Sequence, residues 1–361
     1  MDFTKLSLQI FSQLELNWLK NHHKARILTI DGGGLLAGQA LLHLESQIQS
    51  KTSNPDARIP DLFDLIAGTG MGGVLAALLT VSNPNSTRPL FSAKEALDFL
   101  HSNHHRLFRP SGLLRRRFSS RSFDRVLRRA LPGLTLRNAC KPLLIPCYDL
   151  NTSAPFVFSR ADASESLSFD FELWRVCRAT AATPGLFKPC ELVSVDGTTS
   201  CAAIDGGVVM NNPAAAAVTH VLHNKREFPF VAGVEDLVVL SIGNGLPAPP
   251  PRGYRRCSGA GVIGIVLDGV SGTVDQMLGN AFRWNPSDYV RIQANGPLTE
   301  KDDVKMAGER MLNERGLETL PFGGKRLLTE TNGQRIEAFV QRLVTSTGDN
   351  MGLASSPSPK R

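Results

Sequence analysis

Leu65-Ile66-Ala67-Gly68-Thr69-Gly70-Met71-Gly72-Gly73-Val74-Leu75-Ala76-Ala77-Leu78-Leu79 runs apolar, then glycine-rich, then apolar again. The residues before Gly68 predict the end of a buried strand. Those after Gly73 predict a helix packed on a sheet, over 74–80. The glycines between them permit a turn too tight for side chains. This is the layout of a nucleophile elbow, G-x-S-x-G, in which a strained strand-to-helix turn exposes a serine. Here the centre of Gly68-x-Gly70-x-Gly72 is glycine. The frame of the turn is present, and Gly70 stands where the nucleophile is expected.

Two further glycine sites flank this one. Upstream, the apolar run Arg26–Ile30 leads into Asp31-Gly32-Gly33-Gly34 and then a helix predicted from about Leu36 to Ser50. Strand, glycine loop and helix together make an anion site, because backbone N–H groups and the helix N-terminus point at the ligand. In an acyl hydrolase such N–H groups form an oxyanion hole; a turn with glycines for sterics alone is the other reading. G-x-x-x-x-G-K-[ST] is absent, which excludes a Walker loop. Downstream, Cys201–Ile204 reads as a short buried strand that delivers Asp205 into Gly206-Gly207. Asp-Gly is also a common turn. Asn212 is placed as N-cap and Pro213 as the first residue of a helix over 213–224.

Strands and helices alternate along the rest of the chain. Strands are predicted at Leu62–Ala67, Leu143–Tyr148, Phe156–Phe158, Leu237–Ile242 and Tyr289–Ala294. Helices are predicted at 92–103, 171–182, from 260 to about Phe282, and near 301–313 and 329–345. This pattern predicts an α/β fold of three layers, α/β/α, around a mostly parallel sheet. The organisation reads as an N-terminal amphipathic helix (1–24), a catalytic-type domain (25–245), its helical and strand completion (246–345) and a disordered tail (346–361). Ligands of open α/β sheets bind at the carboxyl ends of strands, so the three glycine loops are expected to meet in one cleft.

Composition narrows the class. The chain has 361 residues, of which 42% are hydrophobic and 20% charged, with a net charge of +7. Such a chain can bury a large core. Residues 106–129 hold nine arginines against the single Asp124, a local +8 that accounts for the whole net charge. Phe123, Val126, Leu127 and Ala130 recur at helical spacing, so 122–131 is predicted helical with arginines outward. Arg115, Arg116, Arg117, Arg121, Arg125, Arg128 and Arg129 are candidates for an anionic lipid surface; a solvated helix face is the alternative. The segment has no Tyr or Trp for base stacking, and nucleic acid is not expected as a partner.

Neither a signal peptide nor a run of 18 apolar residues is present, which predicts an intracellular, cytoplasmic protein with peripheral membrane association. The six cysteines form no C-x-x-C and have no His at ligand spacing, so they read as reduced core thiols, with no metal and no cofactor. Gly68-x-Gly70-x-x-Gly73 also spells a dinucleotide fingerprint. That reading needs an acid about 20 positions on at a strand end, and Glu95, the nearest, falls in a helical stretch.

Asp31-Gly32-Gly33-Gly34, Gly68-x-Gly70-x-Gly72 and Asp205-Gly206-Gly207 together resemble the motifs of the patatin-like phospholipases. Trp174-Arg175-Val176-Cys177-Arg178-Ala179-Thr180-Ala181-Ala182-Thr183-Pro184 and the run to Asn212-Pro213 are similar to segments of the same family. The resemblance covers roughly residues 25–245. It implies a Ser–Asp dyad fold, with Gly33 and Gly34 as oxyanion-hole donors and Asp205 as general base. Gly70 replaces the serine, and Leu36 replaces the arginine of the oxyanion motif. Both replacements resemble the plant class III patatin-related phospholipases. That resemblance implies acyl hydrolysis of phospholipids or galactolipids, weak or non-canonical without the serine. Two routes stand open: a water activated by Asp205 at the position of the missing hydroxyl, or attack by Thr69. A catalytically inactive lipid-binding or signalling protein is the alternative.

Overall fold

In strand β1 (Ala25–Ile30) every residue is buried, as expected of a strand covered on both faces. Ala25 and Ile27 face one apolar cluster, and Leu28 and Ile30 face another. This two-residue alternation sets up the three layers. The structure, a computed structural model, describes residues 24–84, 86–108, 110–111, 117–243, 245, 259–296, 304–320 and 324–353. The helix predicted over 3–20 lies outside them.

The chain continues through α1 (Leu35–Thr52), β2 (Leu65–Gly68), α2 (Gly70–Thr80), α3 (Ala93–Leu107) and α4 (Ser120–Ala130). Next come β3 (Leu143–Asp149), β4 (Ala154–Ser159), α5 (Leu173–Thr180), β5 (Cys190–Val193), β6 (Ser200–Asp205) and α6 (Ala214–His223). The last part comprises β7 (Leu237–Ile242), α7 (Gly259–Ala281), β8 (Tyr289–Ile292), α8 (Val304–Asn313), β9 (Arg315–Thr319), β10 (Lys325–Thr331) and α9 (Asn332–Leu353). The main sheet has the order β8-β7-β1-β2-β3-β6-β5, with β4 on β3. From β8 to β3 every pairing is parallel. From β3 to β5, and from β3 to β4, it is antiparallel. The expected α/β/α architecture with a mostly parallel sheet is therefore the observed one.

Helices α1 to α5 cover one face together with α8 and α9, and α6 and α7 cover the other. Phe123, Val126 and Leu127 are buried, so α4 packs through the predicted stripe. Among the described residues no helix is long and apolar enough to cross a membrane.

Several boundaries differ from the sequence reading. Ile59–Leu62 is a helical turn with Pro60 in it, so β2 begins only at Leu65. Helix α2 begins at Gly70, which makes the elbow glycines its first turn. Pro213 is the N-cap residue of α6, although Asn212 Oδ1 still accepts the Ala214 N–H at 3.0 Å. The capping bond thus comes from the predicted residue, Asn212, while the helix itself starts one position later than predicted. Helix α9 runs to Leu353, past the predicted start of a disordered tail, and 354–361 lie outside the described residues. The hairpin of β9 and β10 carries no clear two-residue alternation and was not anticipated.

Candidate active site

Register brings the first two glycine loops together. Ile30 pairs with Gly68, so Asp31–Gly34 and Thr69–Gly72 leave the sheet side by side. Asp205 arrives differently. The sequence suggested a third loop at the end of a parallel strand, but β6 runs antiparallel to β3, with Asp205 opposite Cys147. The strand stops opposite Cys147, three residues beyond the Leu144 that pairs with Ala67 of β2. The aspartate therefore enters the same cleft from the opposite direction.

Gly70 has φ +56°, a backbone state that costs other residues energy. Its N–H donates to Thr180 Oγ1 at 3.0 Å, and Thr180 Oγ1 in turn donates to the Pro146 carbonyl at 2.7 Å. A Cβ built on Gly70 would lie 3.6 Å from Asp205 Oδ1, and 3.1 Å from both the Cα and the O of Gly32. A side chain at position 70 would thus face Asp205. Gly72 is required by close approach: a Cβ there would lie 2.1 Å from the Asp31 carbonyl.

Asp205 is buried and held at both oxygens. Thr183 Oγ1 donates to Oδ2 at 2.7 Å and the Gly207 N–H donates to Oδ1 at 2.8 Å. Its own N–H donates to the Ala182 carbonyl at 3.1 Å. Burial pushes the Asp205 carboxyl above the ordinary carboxylate range, and the two donors oppose that shift only in part. A raised carboxyl in a cleft is a better proton acceptor than a solvated one. Gly206 and Gly207 carry the chain away from it.

The oxyanion loop shows an arrangement not foreseen from its glycines. Met71 donates its N–H to the Gly32 carbonyl at 3.2 Å. In elbow hydrolases the N–H after the nucleophile is one of the oxyanion donors. Here a carbonyl of the loop itself takes that donor. Gly33 and Gly34 border an apolar slot of about 210 Å³, walled by Leu36, Met71, Leu100 and Leu107. Leu36, in the position of the family's arginine, thus adds apolar wall rather than charge. A larger cavity, about 770 Å³ around Arg291 and Arg335, contains none of the three glycine loops.

Asp31 does not act in the cleft. Its carboxylate forms a two-pronged ion pair with Arg291, at 2.8 Å and 2.5 Å, and accepts Ser271 Oγ at 3.1 Å. Burial opposes the charge on Arg291, but the attraction and hydrogen bonds of Asp31 outweigh it and raise its pKa. The pair ties the end of β1 to β8. Thr69 is fully buried and donates Oγ1 to the Met210 carbonyl at 2.7 Å. Attack by Thr69 is thereby excluded in this conformation. Glu95 caps α3, where its carboxylate accepts the Ser92 N–H at 2.8 Å. It is on a helix and not at a strand end, which overturns the dinucleotide reading.

Cys147, Cys177 and Cys201 are buried, and burial pushes the Cys177 thiol up to about 12. Of the arginine candidates, Arg115 and Arg116 lie outside the described residues, as does the side chain of Arg117. Arg121, Arg125, Arg128 and Arg129 are exposed on α4. Arg178, not singled out from the sequence, is buried 3.2 Å from Asp124. Thr180, Thr183 and Arg291 were also missed. The two threonines were legible only as polar residues in the small-residue run before Pro184.

The comparisons with known proteins agree with this geometry. The model of the family described as patatin-like phospholipase matches residues 28–218. "Probable inactive patatin-like protein 9" of Arabidopsis thaliana is 58% identical, over 96% of this chain and 94% of its own. "Patatin-like protein 7" of the same plant is 41% identical, over 95% of this chain and 81% of its own. Family match, relatives and the three converging loops coincide on the same residues: the chain belongs to the patatin-like phospholipase family.

Proposed function

We propose that this protein binds membrane glycerolipids, phospholipid or galactolipid, in the patatin-like cleft without serine-type turnover. One observation carries the reading. Gly70 aims an absent side chain at Asp205, while Gly32 takes the Met71 N–H that a tetrahedral intermediate would need. At one turn the nucleophile is missing and one of the oxyanion donors is taken. The slot beside Gly33 and Gly34 offers apolar wall for an acyl chain. The name of the 58% identical relative, which calls it probably inactive, fits this reading. Gly70 and Leu36 are the two positions at which the chain resembles the class III patatin-related proteins, and they support assigning it to that subgroup. Its setting is cytoplasmic, at membrane surfaces.

Slow hydrolysis is the second reading, favoured by Asp205. Its carboxyl is raised by burial and oriented by Thr183 and Gly207, which suits a general base acting on water. Oxyanion stabilisation would then fall to the Gly33-Gly34 loop, or the Met71 N–H would have to leave the Gly32 carbonyl.

Fatty-acid release from phosphatidylcholine and monogalactosyl-diacylglycerol separates the two. Wild type is expected at the uncatalysed rate. Gly70→Ser is expected to release acid about 10²-fold faster or more, and adding Asp205→Asn should cancel the gain. A wild-type rate above background that falls in Asp205→Asn would establish the hydrolase reading instead. Failure of wild type to bind a fluorescent fatty acid would remove the binding reading.

A further inference from the structure

The arginines of residues 106–129 do not form one uniform surface. On α4, Ser122, Arg125, Val126, Arg129 and Ala130 are spaced i, i+3, i+4, i+7, i+8 and line one side. They face Phe99, Asn103 and Arg106 on α3 across a groove of about 960 Å³. Ser122 Oγ donates to the Arg106 carbonyl at 2.7 Å and pins the two walls together. Arg128 lies elsewhere, with its guanidinium 4.4 Å from the Trp174 ring. The one acid of the segment, Asp124, is paired with buried Arg178.

The groove therefore gathers Arg106, Arg125 and Arg129 with no carboxylate among its described lining residues, over a floor that includes Phe91, Phe99 and Val126. None of these three arginines makes an ion pair within 4.0 Å among the described residues. Exposed like charges around an apolar floor ask for a ligand with an anionic head and an apolar body.

The same helix serves both sites. Leu100, His104 and Leu107 of α3 wall the slot beside Gly33 and Gly34, whereas Phe99, Asn103 and Arg106 wall the groove. The two sets follow the same i, i+4, i+7 spacing, offset by one residue, so they lie on adjacent helix faces.

We propose that the groove between α3 and α4 seats the phosphate headgroup of an anionic bilayer lipid, and so docks the mouth of the acyl slot at the membrane. The proposal rests on the lipid-binding reading and adds its selectivity: anionic phospholipid surfaces over neutral galactolipid ones. Arg125 and Arg129 supply the phosphate contacts from one wall and Arg106 from the other.

The test is sedimentation of the full chain with phosphatidylcholine vesicles, with and without phosphatidic acid, at rising salt. Wild type should bind only the vesicles with phosphatidic acid and lose them as salt screens the arginines. Arg125→Gln/Arg129→Gln should weaken that binding about 30-fold, at about fivefold per basic residue. Arg121→Gln/Arg128→Gln removes the same charge from α4 outside the groove and should weaken it less than about fivefold. Equal losses in the two double variants would overturn the groove in favour of diffuse attraction. So would equal binding of neutral vesicles, or competition by RNA or inorganic phosphate at concentrations that leave ionic strength unchanged. Fluorescent fatty-acid binding, read alongside, keeps the readings apart: it should be unchanged in Arg125→Gln/Arg129→Gln. Its absence in wild type with anionic vesicle binding intact would remove the slot and leave the groove.

Discussion

The Met71 N–H is bonded to the Gly32 carbonyl at 3.2 Å, so the oxyanion loop satisfies the elbow's own donor. A Cβ at position 70 would stand 3.1 Å from Gly32, so the loop would have to give by a few tenths of an ångström to admit a side chain there. The lost nucleophile and the occupied donor thus meet at the same pair of residues, Gly70 and Gly32, where a side chain would crowd the loop.

Gly70→Ala isolates that crowding. It adds a Cβ at φ +56° without adding a nucleophile. We expect a loss of about 1–2 kcal/mol from the left-handed backbone, read by urea denaturation. An unchanged midpoint would mean that the loop yields freely.

Thr180 supports the elbow from below, between the Gly70 N–H and the Pro146 carbonyl. Thr180→Val leaves both groups unpaired in a buried place and should cost about 1–3 kcal/mol. Thr180→Ser keeps the hydroxyl and should recover most of that stability.

Asp31 and Arg291 join strands far apart in the sequence. Arg291→Met leaves a buried carboxylate unpaired and should cost about 3–5 kcal/mol. Asp31→Leu/Arg291→Met should cost less than Arg291→Met alone, because no charge is stranded. A double-mutant cycle in denaturant reads the coupling.

Asp205 gives a pH signature. Its carboxyl is raised in the folded state, so the folded protein holds that proton more tightly than the unfolded chain. The associated stability is present below the ordinary carboxylate range and is lost as pH rises through the raised folded value. Asp205→Asn keeps the size without ionising: its oxygen can still accept the Gly207 N–H, while its amide nitrogen would donate to Thr183 Oγ1 in place of the oxygen that now accepts from it. It should be more stable than wild type at neutral pH, with the difference shrinking as pH falls through the carboxylate range. Thermal unfolding across that range is the measurement.

The sequence by itself determined the layers and the vacancy in the chemistry. Alternating apolar runs dictate a covered sheet, since a strand such as Ala25–Ile30 has no face it can show to water. Three glycine-flanked turns at strand ends mark the cleft, and a glycine at position 70 removes the nucleophile whatever the fold does. Only tertiary structure decided how the cleft is set. Triglycine carries no sign of which way its peptides point, because glycine accepts either sign of φ at little cost; packing against Met71 turned the Gly32 carbonyl inward. The partners of Asp205 and Gly70 are Thr183 and Thr180, and Thr180 lies 110 residues from Gly70, beyond the reach of any local pattern. The arginines were legible as a charge, but their division into groove and ring stack, and the pairing of their one acid with Arg178, were not. Helical phase assigns a residue to a face, and only the neighbouring helix says what that face meets.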